Sequence, residues 1–307
     1  MRILIIGRKN GQAGSAHLNI SDLITSFVKA CDAKDHYVLC DDDTVMNFKV
    51  HVDQMISVAD HSIQADVIVV FGGDGTMLHV TKAFAHLKLP LLGINLGRLG
   101  FITDVPHDFD PDKIIDMLER QAYTIEQRSL LSLTKGFDSV NSNKADIALN
   151  EVVISQSTGK VIEFQVFIDD EYAYVARGDG LMISTPTGST GYALSTGAPI
   201  IHPTAKVLEV IPIFPQTLSC RPLIINDTSV VKFKLINGEA DVFVDGNEVN
   251  SLWVKDAFRS DRSVVTITSS KQTIRLIHPK LNGLTYDYYN TLREKLQWQH
   301  LPGTPRP

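Results

Sequence analysis

Unbroken apolar runs and helical-period stripes alternate over the first 125 residues. "RILIIG" at 2–7, "HYVLC" at 36–40, "DVIVVF" at 66–71 and "PLLGIN" at 90–95 are the runs. They fit strands covered on both faces, which lose the usual in–out alternation. Between them, Leu18, Leu23, Ile24, Phe27, Val28 and Cys31 recur at helical spacing, and "TMLHVTKAFAHL" and "DPDKIIDMLERQA" carry the same period. Asp110 stands where a helix cap belongs. "VHVDQMISVAD" at 50–60 is read as a further helix. Strand, helix, strand at this spacing predicts βαβ units and a mostly parallel sheet.

Near Gln127 the pattern changes to short strands at regular intervals, separated by turn residues. "RSLLSLTKG", "VIEFQVFIDD", "EYAYVARGDGLMIS", "SVVKFKLI", "ADVFVDG" and "TIRLIHP" are examples. They predict a β-rich, sandwich-like C-terminal domain. "YYNTLREKLQW" is helical again, with Tyr289, Leu292 and Leu296 on one face, and is expected to return to the first domain. The fold class is therefore an α/β N-terminal domain followed by a β-rich C-terminal domain. The expected boundaries are 1–126, with 279–307 packing back on it, and 127–278.

Composition narrows the function. The chain has 307 residues, 44% hydrophobic, with a net charge of −6 and a pI near 5.9. That balance supplies a sizeable core and argues against nucleic acid as the main ligand. Cys31, Cys40 and Cys220 form no CxxC pair, so no structural metal is expected and the thiols read as reduced. The opening "MRILIIGRKN" is too short an apolar run for a secretory signal, and no segment reaches the roughly 18 apolar residues of a membrane span. A soluble cytoplasmic protein without membrane partners is expected.

The chemistry concentrates in two places. In "VIVVFGGDGTMLH", a strand ends in a turn almost bare of side chains and runs into a helix. Gly72, Gly73 and Gly75 let backbone N–H groups approach a phosphate, and the helix N-terminus adds partial positive charge. The turn lacks both the GK[ST] of a Walker loop and GxGxxG. It keeps Asp74 instead. A carboxylate beside phosphate makes sense if it meets Mg²⁺ or takes a proton from an attacking hydroxyl. The second place is "STPTGSTGYALSTGAP", mostly hydroxyl residues and glycine, too poor in apolar mass for an ordinary strand. Thr185, Thr187, Ser189 and Thr190 offer donors and acceptors to a purine edge, and Tyr192 offers a ring.

These residues carry a resemblance. "GGDGT", "LNEVVIS" at 149–155, "RGDGLMISTPTGSTGYALS" at 177–195, "GINLGRLGFIT" at 93–103, "RPLII", "DG" at 245–246 and "LREKLQW" occur in an order similar to that of bacterial NAD kinases. The resemblance covers nearly the whole chain. It implies ATP as phosphoryl donor, Mg²⁺ or another divalent cation, and NAD as acceptor. Asp74 would be the catalytic base, acting on the 2′-hydroxyl of the adenosine ribose to give NADP. It further implies NAD contacts from Asp74, Gly75, Asn150, Glu151, Lys160, Arg177, Asp179, Thr187, Thr190, Gly191, Tyr192, Ala193, Leu194, Ser195 and Asn247, and a homodimer or homotetramer. No protein-held metal is implied beyond the one that comes with ATP. Gly191 stands where the family commonly has alanine, and Gln216 where it often has histidine. Arg8 or Lys9, after the first strand, are candidates for the positive charge that the glycine turn lacks. Two alternatives remain at this point: a lipid kinase on the same scaffold, and a dinucleotide sensor without turnover.

Overall fold

The unbroken apolar runs become neighbouring parallel strands. The computed structural model describes residues 1–8, 20–57, 62–97, 100–135, 146–253, 263–281 and 284–298. It divides into two compact units, Met1–Gln127 with Ile274–Pro307, and Arg128–Thr273.

The first unit begins with β1 (Arg2–Gly7), α1 (Ile20–Asp32), β2 (Tyr37–Asp41), α2 (Asp42–Phe48) and β3 (Gln54–Ile56). It continues with β4 (Val67–Gly72), α3 (Asp74–Phe84), β5 (Pro90–Asn95), β6 (Val105–Pro106), α4 (Pro111–Glu119) and the start of β7 (Tyr123–Lys135). Five of these strands lie side by side in the order β5-β4-β1-β2-β3, all parallel. The chain thus runs outward from β1 to β3, then returns to the other side of β1 as β4. That reversal leaves a crevice at the carboxyl ends of β1 and β4, where parallel sheets bind their ligands.

Every residue of β4 and β5 is buried, which is why neither alternates. Ile3, Ile5, Val67, Val69 and Phe71 share one apolar cluster with Phe27 of α1 and Met117 of α4. Phe27 meets Phe71 edge to face, with ring centroids 5.4 Å apart. Burying a side chain of this size contributes about 1.5–3 kcal/mol. Asp110 caps α4 as expected: its Oδ1 accepts from Asp112 N at 3.0 Å, and Pro111 takes the first helical position.

One expectation is corrected. The helix read at 50–60 is absent over residues 50–57, where β3 pairs with β2 instead; residues 58–60 lie outside the described residues. A helix stands earlier, at Asp42–Phe48. Asp42 and Asp43 in its first turn complement the helix dipole, and Lys49 closes it in the left-handed conformation. "VHVDQMI" alternates Val50 and Val52 with polar residues, and over so short a run strand and helix periods are hard to tell apart.

The second unit adds β8 (Asp146–Ala148), β9 (Glu151–Gln156), β10 (Ile162–Ile168), β11 (Glu171–Gly178), β12 (Gly180–Ser184) and the one-turn α5 (Tyr192–Ser195). Then come β13 (Val207–Ile213), β14 (Leu223–Asn226), β15 (Val231–Asn237), β16 (Glu239–Val244), β17 (Asn247–Trp253) and β18 (Val264–Leu281). The end of β18, with β19 (Leu284–Thr285) and α6 (Tyr288–Lys295), belongs to the first unit. Six strands form an antiparallel sheet in the order β14-β13-β12-β9-β16-β17. Strands β11, β10, β15 and the start of β18 pair antiparallel in a second layer. Side chains from both layers, among them Ile154, Leu181, Val210, Phe164 and Phe233, fill one cluster. This is the sandwich-like domain. No helix among the described residues is long and apolar enough to cross a membrane.

Candidate active site

The glycine turn sits at the carboxyl end of β4, in the crevice of the first unit. Gly72, Gly73 and Gly75 are absent from the positive-φ positions, so a left-handed turn is not why they are glycine. Gly72 lets α3 close on β4: a Cβ there would lie 2.2 Å from Thr76 Oγ1. At Gly73 and Gly75 a Cβ would meet nothing within 4 Å among the described residues, so the bare backbone faces open space. That arrangement suits an anion approaching the N-terminus of α3. Arg8, half-buried at the end of β1, donates its backbone N–H to Phe71 O at 2.9 Å and so stands on the strand next to the turn. Lys9 lies outside the described residues.

Asp74 is the first residue of α3 and is half-buried. Its Oδ2 accepts from Phe101 N at 2.8 Å, and its Oδ1 accepts from Ile102 N at 3.2 Å and Thr103 Oγ1 at 3.4 Å. Each carboxylate oxygen has two lone pairs, so the grip fixes the group and leaves acceptor capacity. Gly100 makes the grip possible, since a Cβ there would lie 2.1 Å from Asp74 Oδ1. Among the described residues no three His, Cys, Asp or Glu gather to hold a metal. A lone carboxylate beside an open anion cradle fits Mg²⁺ arriving with a polyphosphate, which takes one or two protein carboxylates and completes its shell with phosphate and water.

The second unit builds a different surface from two segments. Asp245 is its clamp. Its carboxylate accepts from Leu149 N at 2.8 Å, Asn150 N at 2.8 Å and Glu151 N at 3.2 Å. This breaks the strand between β8 and β9, which frees Asn150 and Glu151 from pointing to opposite faces. Thr185 N then donates to Asn150 O at 2.9 Å and Thr185 Oγ1 to Leu149 O at 2.6 Å. Gly188 packs so closely on the same segment that a Cβ would lie 2.3 Å from Asn150 O. A Cβ on Gly191 would stand 3.3 Å from Asn150 Nδ2 and 3.4 Å from Glu151 Oε2. So the NE pair and the hydroxyl-rich turn form one surface.

Glu151 is buried, and its Oε2 has no hydrogen-bond partner among the described residues. Burial and then the charge of Asp245 push its carboxyl up to about 7, against a bond from Tyr192 N. An orphaned acceptor of this kind fits a ligand that brings a hydroxyl or amino donor. Thr187 is buried and accepts from the buried Arg128 Nη1 at 3.3 Å, while Thr190 Oγ1 donates to Thr187 O at 3.2 Å. Thr185 and Ser189 are fully buried, and their hydroxyls serve the fold; Ser189 Oγ donates to Pro186 O at 2.7 Å and accepts from Ile201 N at 3.0 Å. Tyr192 and Ser195 are exposed, Leu194 is half-buried, and Ala193 lies in an apolar cluster with Met182 and Ile211.

Asp179 stands where the chain crosses from β11 in one layer to β12 in the other. The flanking glycines are steric: a Cβ on Gly178 would lie 2.9 Å from Ile213 O, and one on Gly180 1.9 Å from Ile154 O. Arg177 is exposed and its Nε lies 4.0 Å from Glu163 Oε2, its cross-strand neighbour. A surface pair of this kind is worth under about 1 kcal/mol. Lys160 is exposed in the β9–β10 turn, and Asn247 is exposed with its Nδ2 donating to Asp245 O at 3.2 Å. Sequence reading passed over Gly100, Thr103, Arg128 and the clamp role of Asp245. Gly100 and Thr103, inside "GINLGRLGFIT", and Asp245, in "DG", carried a signal in their place among the family motifs; Arg128 carried none.

Comparison with known proteins gives the arrangement a family. Residues 27–124 match the model of the ATP-NAD kinase N-terminal domain, and residues 149–278 that of the ATP-NAD kinase C-terminal domain. An NAD kinase of Laribacter hongkongensis is 39% identical over 264 residues, covering 85% of this chain and 86% of that protein. This chain belongs to the NAD kinase family. An NAD kinase of Nitrosomonas eutropha is 36% identical over 304 residues, covering 97% of this chain and 95% of its own length. The fold is also that of a yeast NADH kinase solved with NADH, at a TM-score of 0.82 and 21% identity, covering 99% of this chain and 89% of that one. An Archaeoglobus fulgidus NAD kinase solved with ATP shares it at a TM-score of 0.68 and 22% identity, covering 98% and 100%.

Proposed function

We propose that this chain transfers the terminal phosphoryl group of ATP to the 2′-hydroxyl of the adenosine ribose of NAD, giving NADP and ADP. The observation that carries the reading is Asp74, a carboxylate fixed by two backbone amides at the head of a helix, with bare glycine backbone on both sides. Asp74 accepts the ribose proton as the oxygen attacks the γ-phosphorus. The bond from that phosphorus to the β–γ bridging oxygen then breaks, and ADP leaves with the electron pair. General-base help of this sort is worth about 10²–10⁴ in rate. Gly72, Gly73 and Gly75 offer N–H groups to the phosphates, and Arg8 supplies positive charge beside them. A divalent cation carried by the triphosphate would neutralise charge there.

On the second unit, Asn150, Glu151, Thr187, Thr190, Gly191, Tyr192, Ala193, Leu194 and Ser195 hold the adenosine half, Ala193 through its backbone. Glu151 Oε2 takes a donor from it. Arg177 and Asp179 serve the nicotinamide half, and Lys160 and Asn247 line the dinucleotide. The hydroxyl-rich surface favours a dinucleotide over a lipid, whose acyl chains need an apolar entrance.

A coupled assay for NADP formation, with and without ATP and Mg²⁺, tests the reading. Asp74→Asn should retain NAD binding and lose at least about 10²-fold in turnover. Near-normal turnover in a variant that melts normally would sink the role of Asp74. NAD binding without turnover in the wild type would favour a sensor.

A further inference from the structure

The residues that grip Asp74 run directly into a buried ionic cluster. Phe101, Ile102 and Thr103 donate to the Asp74 carboxylate, and the next residue, Asp104, accepts from Nδ1 of His278 near the end of β18. On the other side of the ring, Glu126 Oε2 lies 3.4 Å from Nε2. The imidazole is 3% exposed and stacks on Tyr286, with ring centroids 3.8 Å apart and planes 13° from parallel. All of these residues belong to the first unit.

Two features make this more than an internal salt bridge. Residues 101–104 have no strand or helix ladder of their own, so side chains must fix their backbone. Thr103 packs against Gly93, where a Cβ would lie 2.9 Å from its Cγ2, and Lys295 covers the Phe101 ring at 4.8 Å. The bond from His278 to Asp104 is the charged tie, and it acts at the residue next to the grip. Moreover, three ionisable groups in a buried site are a poor device for stability, because desolvation offsets most of their attraction. A fixed geometry is what such a cluster supplies.

We infer that the Asp104–His278–Glu126 cluster is a positioning device for the Asp74 carboxylate, setting the segment Phe101–Thr103 that holds it. The inference rests on the proposed role of Asp74 as base. His278 touches neither substrate; it acts through Asp104. Burial alone pushes the ring toward its neutral form, but the hydrogen bonds and charges of Asp104 and Glu126 outweigh it and leave the net shift upward. Among the described residues, the titratable groups against the ring are these two carboxylates and the Tyr286 phenol. The ring therefore keeps its proton to higher pH than an ordinary histidine, and the tie loosens as pH rises through that raised value.

His278→Gln and Asp104→Asn test this with two readouts, turnover and amide hydrogen exchange. In both variants kcat should fall by roughly 10- to 100-fold, the scale of a misplacement of about 1 Å. The KM values for NAD and ATP should stay within about twofold, since the inference leaves binding groups untouched. The alkaline fall of kcat caused by loss of the ring's proton should vanish in His278→Gln. The Phe101 and Ile102 amides should exchange at least about tenfold faster, while those of Val69 and Val70 in β4 keep their protection. Should His278→Gln fail to fold, Asp104→Asn, isosteric but without the charge of the tie, decides alone. Normal kcat and normal exchange in a folded variant would overturn the inference, as would a rise in KM with kcat unchanged. If the wild type makes no NADP, the reading of Asp74 as base fails instead, and the exchange rates still decide whether the cluster fixes it.

Discussion

At the scale of single atoms, Gly100 and Thr190 each put one half of the proposed chemistry to the test. At Gly100 the missing Cβ is the space that Asp74 Oδ1 and Thr103 Oγ1 occupy, each 2.1 Å from where it would be. Gly100→Ala must push the carboxylate off its amides. We expect kcat to drop by at least about tenfold while NAD binding persists, measured by steady-state kinetics and calorimetry. At Thr190 the hydroxyl donates to Thr187 O, which leaves its lone pairs for a ligand. Thr190→Val keeps the volume and removes both functions. The NAD KM should rise by about 5- to 150-fold, the range for a lost buried hydrogen bond, with ATP little changed. A change confined to ATP would mean that the two nucleotides have been assigned to the wrong surfaces.

Strands β9, β12 and β13 place three polar residues in one row, Glu151, Ser184 and Glu209, at matching register. Both glutamates are buried, and burial pushes each carboxyl up to about 7 from an ordinary 4.5; the Ser184 hydroxyl only partly offsets this for Glu209. A carboxyl raised in the folded state binds its proton more tightly there than in the unfolded chain. Its contribution is complete below pH 4.5 and is lost as pH rises through about 7. Melts of the wild type should therefore show falling stability across that window. Glu209→Gln, which keeps shape without charge, should flatten the slope, with Glu151 and the buried Asp41, whose carboxyl is also pushed up, retaining the rest. His278 is shifted upward too, so its share of the decline starts near the ordinary 6.5 and extends to higher pH. A slope unchanged by Glu209→Gln would mean that the carboxyl finds a solvating partner when ionised.

At the scale of the whole molecule, the question is how one dinucleotide meets both the adenosine segment and Asp179. Asp179 and Thr187 are only eight positions apart along the chain, yet the two bases of an extended dinucleotide lie far apart. We propose that a symmetric oligomer solves this, one subunit holding adenosine while its neighbour offers Asp179. Asp74→Asn and Asp179→Ala, each inactive alone, should then regain activity when mixed and reassembled. Half of randomly mixed dimers are heterodimers, and each has one site free of both changes, so recovery should approach about a quarter of the wild type. Subunit exchange without recovery would assign each site to a single chain.

The amino-acid sequence by itself determined the layers and the family, and it pointed to the proposed reacting groups. Runs such as "VIVVFG" admit only strands covered on both faces, and the motifs around Asp74, Asn150 and Thr187 carry enough specificity to name the family. Those signals are local, because apolar period and turn chemistry are written in consecutive residues. What holds the reacting groups in place is not local. Asp245 reaches back across 94–96 residues to clamp the NE pair, Gly100 leaves space for a side chain 26 positions earlier, and His278 is 174 residues from Asp104. The short "VHVDQMI" turned from helix to strand for the same reason, since pairing with β2 outweighed a weak period. Only the tertiary structure brings these partners together, and their physical role is to fix the groups to which the sequence points.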